Sequence, residues 1–532
     1  MKSLYTTLLL LSFSTCMLAQ TNTAVINANN IRTMMHSTGQ LFWDFQDAQF
    51  LVPFTDPNSP AAIFAGGLWM GGLAPDGDIK IASTTYEARI ESVYEPGLRE
   101  AAADLNKVWK ITKEDVLALI EDAADGSIDN PIPADILDWP GAGAEGVENI
   151  DAARLANFVD TDGDGLYNPQ VGDYPAVIVN GVAVIPDEML YTIFQPNDVN
   201  FVNVPSVDVH SSMYAFRGES DDALSNSLFL QQRIISREVE DLNTFRFSYF
   251  IDADLGCHTD DYVGCDIARN AMITYNADDT DGNNGGCAGA ITTYDDPPMI
   301  SLTLLNQPMT HFTYYNNAGI NNPEPPTTDP QLPQEEYAIM GGIWRDGSQL
   351  TSGGNGYDPA SMDFVRHAFP GNPNNANEWS MISENVPLND PRTLTTHQIQ
   401  TLRPGQILTF DAVINFVNCP GYLTDYDKVL DNIDELQQLY DDGFERITAT
   451  KESSIQSEDV QLYPNPSTGK IYVKSQHQFE SYSIKNLNGS VLLRGYEKAL
   501  KEIDVPLGNG IYLIELNTEQ GQQYFDKIII QN

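Results

Sequence analysis

The chain has 532 residues, of which 74 are acidic and 28 are basic, so its formal net charge is −46. A surface this negative repels nucleic acid and anionic lipid and attracts divalent cations, which excludes nucleic acid as an expected partner. The content of 42% hydrophobic and 10% aromatic residues excludes a disordered chain and predicts a globular protein with buried cores.

Residues 1–20, MKSLYTTLLLLSFSTCMLAQ, predict a secretory signal peptide. Lys2 precedes an apolar run that ends at Phe13 and is too short to anchor the chain in a bilayer. Cys16 leaves a lipoprotein signal open as an alternative, although such signals want a small residue where this chain has Thr15. No later segment offers ~18 uninterrupted apolar residues, so no transmembrane segment is expected.

Residues 21–445 predict a β-rich body with a helical insert at about 105–158. Within the insert, TKEDVLALIEDA begins with the hydroxyl N-cap Thr112 and has Asp115 three residues later, a pattern typical of a helix start. After Pro175, alternating segments such as FRFSYFI predict strands with one covered face. YDKVLDNIDELQQLY then places apolar residues on one stripe of a closing helix. The expected fold class is mainly β, a β-sandwich-rich body with helical insertions.

Two further features of the body are a segment without periodicity and a set of tryptophans. The Pro/Asn-rich segment 316–336, NNAGINNPEPPTTDPQLPQEE, predicts a surface loop with no core to bury. Several tryptophans lie in Gly-rich or polar surroundings, where they could stack on sugar rings, but buried tryptophans that pin loops to a sandwich are the commoner case. The tryptophans that we therefore predict to be core are Trp43, Trp69, Trp344 and Trp379.

An acidic loop, DTDGDGLYNPQVGDYP, spans Asp160–Pro175. Its alternating carboxylates can converge on calcium, which prefers six to eight oxygen ligands. Where an EF-hand has a bidentate Glu, this chain has Val171, and the flanks are not two amphipathic helices. The loop predicts a structural calcium site rather than a switch, with an acidic turn that holds no ion as the alternative. The predicted ligands are Asp160, Asp162, Asp164, the carbonyl of Leu166, Asn168 and Asp173.

A second acidic stretch, IDADLGCHTDDYVGCD, could hold another calcium ion, with a solvated acidic loop as the equal alternative. His258 beside Cys257 suggests zinc, but the ligand spacing fits no standard zinc pattern. The following ADDTDGNNGG, residues 277–286, predicts a flexible loop rather than a site. The candidate ligands of the second site are Asp252, Asp254, Asp260, Asp261 and Asp266.

Four cysteines remain after signal removal, and an exported protein can join them in two disulfides. Four cysteines allow three connectivities, and the sequence leaves all three open. The residues concerned are Cys257, Cys265, Cys287 and Cys419.

No catalytic motif marks the body. The sequence has no H-E-x-x-H pair, no G-x-S-x-G elbow and no G-x-G-x-x-G after a strand. A glycoside hydrolase needs only two well-placed carboxylates, which 74 acidic residues neither reveal nor exclude. The favoured interpretation is a non-catalytic, calcium-stabilised extracellular protein that acts in adhesion, matrix building or glycan contact. The alternative is a secreted polysaccharide hydrolase with an unrecognised carboxylate pair.

The sequence pattern changes near the end of the chain. Residues 446–459 are polar and without periodicity, which indicates a linker. From residue 460, short alternating strands separated by Asn-Pro, Asn-Gly and Gly-Asn-Gly turns predict a small immunoglobulin-like β-sandwich. Gly469-Lys470 is not a phosphate-binding loop, because Pro464 and Ile471 occupy positions that need glycine and a hydroxyl residue.

Several short motifs follow one another in a fixed order at the end of the chain: Tyr463-Pro464-Asn465-Pro466, Gly469, Asn488-Gly489, Gly510-Ile511-Tyr512 and Lys527-Ile528-Ile529-Ile530. With these motifs, residues 460–532 resemble the type A C-terminal sorting domain of the type IX secretion system of Bacteroidota. The resemblance implies contact with that secretion machinery, export across the outer membrane, and removal of the tail with attachment to the cell surface or release.

The body resembles a widespread, uncharacterised group of large secreted Bacteroidota proteins that carry the same tail. The resemblance runs in one order from about residue 29 to residue 445, and it implies export and a shared fold without supplying a reaction. The phrases that carry it include Phe64-Ala65-Gly66-Gly67-Leu68-Trp69, Val108-Trp109-Lys110-Ile111-Thr112, the acidic loop, Asp261-Tyr262-Val263-Gly264-Cys265-Asp266 and Phe369-Pro370-Gly371.

Overall fold

The structure, a computed structural model, forms two compact units, residues 1–443 and 444–532, each with its own hydrophobic core. The predicted signal peptide at 1–20, the predicted linker at 446–459 and the Asn488-Gly489 turn lie outside the described residues. The described residues are 22–55, 57–84, 93–99, 101, 104–197, 203–218, 223–282, 287, 293–444, 460–475, 477–485, 491–496, 500–518 and 523–531.

The body is built from antiparallel strands. In chain order the strands are β1 (Thr23–Ile26), β2 (Thr33–His36), β3 (Phe50–Leu51), β4 (Ala61–Ile63), β5 (Ala65–Leu73), β6 (Ile79–Ser83), β7 (Tyr94–Pro96), β8 (Trp109–Thr112), β9 (Phe158–Val159), β10 (Tyr174–Pro175), β11 (Val177–Val179), β12 (Val182–Val184), β13 (Glu188–Pro196), β14 (Val207–Ala215), β15 (Ser227–Ser236), β16 (Leu242–Asp252), β17 (Asp261–Asp266), β18 (Ala271–Asn276), β19 (Met299–Leu304), β20 (His311–Asn316), β21 (Pro391–Leu402) and β22 (Ile407–Val417).

Two large sheets dominate the body. The first has the order β17-β18-β19-β22-β15-β14-β13-β7, with β8 also paired to β13, and the second has the order β20-β21-β16-β5-β6. The sheets pack on each other around one core, where Phe247 of β16 stacks on Phe410 of β22 at a ring distance of 4.0 Å. This arrangement confirms the predicted β-sandwich-rich body.

The FRFSYFI segment shows why β16 lies in the middle of the second sheet. Phe245, Phe247 and Tyr249 alternate toward the shared core, and Tyr249 donates a hydrogen bond to the Phe410 carbonyl of the facing sheet at 3.3 Å. The intervening side chains point to the opposite face, where Phe250 stacks on Trp69 at 5.8 Å. Because side chains alternate along a strand, a strand with both sets buried must be covered on both faces.

The segment 316–336 contributes a few residues to that second cover. Much of it is exposed, as predicted for a surface loop, but Thr327, Thr328 and Glu336 are buried, so the prediction that it buries no core is wrong at these residues. The segment contains a 3-10 turn at Pro325–Thr327 and the start of α3 (Pro333–Ile339). Glu336 is 1% exposed and accepts a hydrogen bond from Ser83 at 2.9 Å, and the next residue, Tyr337, lies under the Arg246 guanidinium. The low periodicity of the segment hid these contacts because only scattered residues of it face the sheet.

The two predicted amphipathic helices are present. Helix α1 (Lys113–Ala123) begins after Thr112, whose hydroxyl accepts a hydrogen bond from the Asp115 amide at 3.1 Å, as the N-cap pattern predicts. The rest of the segment 105–158 contains α2 (Ala134–Leu137) and irregular chain. Helix α4 (Tyr426–Asp441) buries its apolar stripe and contacts β19 and β22.

The C-terminal unit is a small β-sandwich, as predicted. Sheets of the orders β23-β24-β27 and β26-β25-β28-β29 enclose one core, and the side chain of Asn465 joins the YPNP loop to the last strand by contacts with the Lys527 carbonyl at 2.7 Å and the Ile529 amide at 2.9 Å. The strands are β23 (Val460–Tyr463), β24 (Lys470–Ser475), β25 (Phe479–Lys485), β26 (Val491–Tyr496), β27 (Glu502–Asp504), β28 (Gly510–Thr518) and β29 (Gln523–Ile530).

Candidate metal centres

The acidic loop lies between β9 and β10 and brings three of its predicted ligands together. One carboxylate oxygen from each of Asp160, Asp162 and Asp164 lies within 4.8 Å of the others, and all three residues are exposed. Asp160 accepts hydrogen bonds from the amides of Gly163 at 2.7 Å and Gly165 at 2.8 Å, which lower the pKa of its carboxyl. Both glycines have positive φ, a conformation that favours glycine, so the sequence folds locally into this turn.

The other predicted ligands of the loop have structural contacts of their own. Asp173 is fully buried and accepts hydrogen bonds from the amides of Thr161 at 2.8 Å and Asn168 at 2.9 Å, so it ties the two ends of the loop together. The Asn168 side chain accepts from the Gln170 amide at 3.1 Å. The converging group therefore contains the three alternating aspartates, without Asp173.

The second predicted ligand set is divided among three places. Asp266 forms an ion pair with Arg269 at 2.9 Å and does not belong to a converging group of the described residues. Asp252 lies at the end of β16 and faces Arg392. Asp254, Asp260 and Asp261 lie in or next to the β16–β17 connection. The five predicted ligands therefore do not all belong to one converging group of the described residues.

Arg392 contacts the carboxyl groups of the buried Asp252 and Asp390 and of the partly buried Asp329, and we call these four residues the Arg392 network. Its guanidinium lies 3.3 Å from Asp252, 3.2 Å from Asp329 and 3.1 Å from Asp390, and its side chain is 3% exposed. Burial, together with the neighbouring carboxylates, raises the pKa of Asp252 well above its usual range. Oxygens of Asp252, Asp254 and Asp390 lie within 4.8 Å of each other, but this group already has a cation in the arginine.

Four carboxyl groups lie near the corner between β16, β17 and the end of β18, and we call them the corner cluster: Asp254, Asp260, Asp261 and Asp281. Of these, only Asp260 and Asp281 belong to one converging group, together with the Cys257 sulfur. Asp260 and Asp261 are each 1% exposed, and Asp281 is 7% exposed. One oxygen of Asp261 accepts from the Leu255 amide at 2.8 Å, and one of Asp260 accepts from the Gly282 amide at 2.8 Å.

Other oxygens of the corner cluster are buried without hydrogen-bond partners, and burial raises the pKa of its carboxyl groups. The Oδ1 atoms of Asp254, Asp260 and Asp261 are buried and have no hydrogen-bond partner among the described residues. Burial raises the pKa of Asp260 to about 6 and that of Asp261 well above its usual range, and Asp254, Asp260 and Asp281 each add to the rise at Asp261. Unpartnered buried charge is costly unless it is neutralised or bound to a metal.

Sequence reasoning missed Asp281, Asp329 and Asp390. Asp281 lies in the stretch interpreted as a flexible loop, yet it accepts hydrogen bonds from the amides of Cys257 at 3.0 Å and Tyr294 at 2.6 Å. These residues are far from Asp260 and Asp252 in sequence, and only the pairing of the strands brings them close. No local pattern could have identified them.

The cysteines form one disulfide bond among the described residues. Cys257 and Cys287 are joined, whereas Cys265 and Cys419 are buried free thiols, so the possible second bridge does not form. Cys265 donates to the Ala368 carbonyl, which indicates a packed core thiol. Because the Cys257 sulfur is in the disulfide, it offers no thiolate, and the structure adds nothing to a zinc site.

Most of the following histidines and tryptophans of the body are buried in its core. His36, His210, His311 and His397 are buried, and burial lowers the pKa of each, so all four are neutral at pH 7. The prediction of core tryptophans is confirmed for Trp43, Trp69 and Trp344, which are 7%, 0% and 2% exposed. Trp379 is partly buried and donates to the Gly354 carbonyl at 3.1 Å.

Comparison with known proteins identifies the C-terminal unit. Residues 461–531 match the family described as the secretion system C-terminal sorting domain. The chain is therefore a secretion cargo that carries its sorting signal in this β-sandwich. The predicted type IX sorting domain is confirmed: this is a secreted Bacteroidota protein, exported across the outer membrane to the cell surface or the extracellular space.

The comparisons identify no activity for the body. No curated protein sequence matches the chain. A solved structure of a polysaccharide lyase matches with a TM-score of 0.19 and 9% identity, over 74% of this chain and 42% of that one. The chain thus spans less than half the length of that protein, and a TM-score this low supports neither a shared fold nor a shared activity. Among the described residues, no helix is long and apolar enough to cross a membrane.

Proposed function

We propose that this chain is a non-catalytic protein of the cell surface or its surroundings, stabilised by calcium, that contacts glycans or cells in adhesion or matrix building. The observation that carries the proposal is the pairing of a sorting domain with a body that concentrates carboxylates into converging groups. Export delivers such a body to a medium where calcium is available, and oxygen-only ligand sets favour hard cations such as calcium.

The acidic loop supports the calcium part of the proposal. Asp160, Asp162 and Asp164 already converge within 4.8 Å, and the loop is fastened by the buried carboxyl of Asp173. A bound ion would relieve the repulsion among three like charges and hold the connection between the segment 105–158 and the main sheets. The role is structural because the flanking elements are short strands and a 3-10 turn rather than paired helices.

The rival hydrolase needs two carboxyl groups ~5–10 Å apart in an accessible cleft. The carboxyl groups that converge among the described residues lie either on an exposed loop or inside the body. A cavity of about 20 Å³, lined by Tyr191, His210 and Arg233 among others, has no Asp or Glu in its lining and has room for roughly one water molecule. This cavity therefore does not supply the carboxylate pair that the rival needs.

The experiment for this proposal is retention of the labelled full chain on a panel of polysaccharides and on the producing cells. We expect retention on at least one surface in calcium and its loss in a chelator. Product analysis on the same polysaccharides is the parallel control. No retention by a protein shown to be folded, together with release of new reducing or unsaturated sugar ends, would replace the proposal with the hydrolase alternative.

A further inference from the structure

We infer that the outer face of the four-stranded sheet in the C-terminal unit is the surface by which the secretion machinery binds this chain. We call this surface the outer stripe, and its residues are Ile511 and Leu513 of β28 and Ile529 of β29. The occupant that we assign to it is an apolar protein surface of that machinery, because residues 461–531 match a sorting domain. The inference does not depend on the calcium proposal.

The side chains of the outer stripe face away from the core of the C-terminal unit. Ile511 and Leu513 are 45% and 41% exposed, and Ile529 is partly exposed. Their neighbours Ile514 and Ile528 are both 0% exposed and belong to the core. Ile511 lies directly opposite Ile529 in the strand register. Because side chains alternate between the two faces of a sheet, the three apolar residues form one contiguous group on the outer face.

The outer face of the three-stranded sheet is built differently. There, Lys470 forms ion pairs with Glu502 at 3.0 Å and with Asp504 at 3.5 Å. Tyr463 and Tyr472 pack against each other with their ring centroids 5.8 Å apart. Charged groups and tyrosine hydroxyls are compatible with water, whereas neighbouring isoleucine and leucine side chains leave apolar surface that a partner can cover. The outer stripe is therefore the better candidate for a contact with protein.

The charge of the C-terminal unit also favours an apolar contact. Residues 460–532 contain equal numbers of acidic and basic residues, so the formal net charge of −46 belongs to the chain before them. A unit without net charge does not attract a charged partner over long distances. Apolar contact is independent of charge, so it allows the unit to be bound whatever the charge of the body to which it is attached.

The free edge of β29 is closed by the loop that precedes β24. The Ser467 amide donates to the Ile529 carbonyl at 2.8 Å, and the Gln531 amide donates to the Ser467 carbonyl at 2.8 Å. Asn465 occupies the Lys527 carbonyl and the Ile529 amide of the same edge. A partner therefore cannot add a strand here and meets the outward side chains of β29 instead. The same contacts fix the register, and a slip by one residue would turn Ile529 inward.

The test measures export of the full chain in the producing cells, by protease accessibility on intact cells and by the amount of protein in the medium. The main variant combines Ile511→Thr with Leu513→Thr, because threonine keeps a high strand propensity while it removes apolar surface. We expect the exported fraction to fall roughly tenfold, which corresponds to about 1.4 kcal/mol of lost binding, with the chain retained inside the outer membrane.

Two further comparisons separate the outer stripe from exposed side chains in general. Leu513→Thr and Tyr472→Thr form a matched pair, because the two side chains are 41% and 38% exposed on the outer faces of different sheets. We expect Leu513→Thr to lower export and Tyr472→Thr to leave it unchanged. The combination of Ile511→Val with Leu513→Ile keeps the stripe apolar and should be exported like the wild type.

Protease resistance of residues 460–532 in the purified full chain separates recognition from folding. We expect the tail of the double threonine variant to be as resistant as that of the wild type. If it is less resistant, the single variant Leu513→Thr decides the question. Wild-type export of a folded threonine variant, or an equal loss of export in Tyr472→Thr, would overturn the inference.

Light scattering on the purified full chains tests a second copy of this chain as the occupant of the outer stripe. We expect the wild type and the double threonine variant to have the same mass in solution. A wild-type dimer that becomes a monomer in the variant, with export unchanged, would assign the stripe to self-association and contradict the inference.

Discussion

Replacement of Arg392 by methionine is expected to lower the free energy of unfolding of the body by about 3–5 kcal/mol. The guanidinium is 3% exposed and lies 3.1–3.3 Å from the carboxyl groups of Asp390, Asp329 and Asp252, so its removal leaves buried charges without their partner. Urea unfolding followed by tryptophan fluorescence measures the effect. All six tryptophans lie before residue 443, so the signal reports the body alone.

Arg269→Met is the matched control for this variant. Arg269 also contacts two carboxylates, Asp266 and Asp434, but its side chain is 30% exposed, so we expect a loss below about 1 kcal/mol. If the free energy of unfolding fell equally in the two variants, burial would not explain the large effect expected at Arg392.

The defect of Arg392→Met should also shrink on acidification. Burial and neighbouring carboxylates already raise the pKa of Asp252, and loss of the arginine charge raises it further, so the folded variant takes up protons more readily than the folded wild type. The variant therefore gains more stability than the wild type as pH falls from 7 toward about 4.

Removal of residues 460–532 is expected to abolish delivery of the protein to the cell surface and medium. The sorting domain matches over residues 461–531 and forms its own compact unit with its own core. The body should therefore still fold and remain inside the outer membrane. Cell fractionation and protease accessibility of intact cells measure the location of the chain.

The reciprocal fusion controls for damage to the body. An unrelated reporter with a signal peptide and residues 444–532 should reach the surface, whereas the reporter with the signal peptide alone should not. Surface delivery of the truncated chain at the level of the full chain would contradict the role of the tail.

Local signals in the sequence predicted the elements that they control. Thr112 and Asp115 mark the start of α1, and the alternation around Phe247 places β16 in a sandwich, because capping and strand periodicity act over a few residues. The YPNP motif and the terminal KIII strand are recognisable separately. The structure adds that Asn465 joins them.

Features set by contacts between distant segments could not be predicted. The segment 316–336 has no periodicity, yet its last residue, Glu336, is buried and accepts a hydrogen bond from Ser83 of β6. The acidic sites show the same limit. Asp160, Asp162 and Asp164 converge as their spacing predicts, whereas Asp281 joins Asp260 only through the order of β17 and β18 and the disulfide.

The most direct measurement of the central claim is the melting temperature of the full chain as free calcium increases from chelator conditions. We expect a steady rise, because an ion that binds only the folded state stabilises it by about 2.7 kcal/mol at a hundredfold excess over its dissociation constant. Asp162→Asn should show a smaller rise, since it removes a ligand from the acidic loop. A melting temperature that stays constant from chelator to saturating calcium would contradict the account of a calcium-stabilised extracellular body.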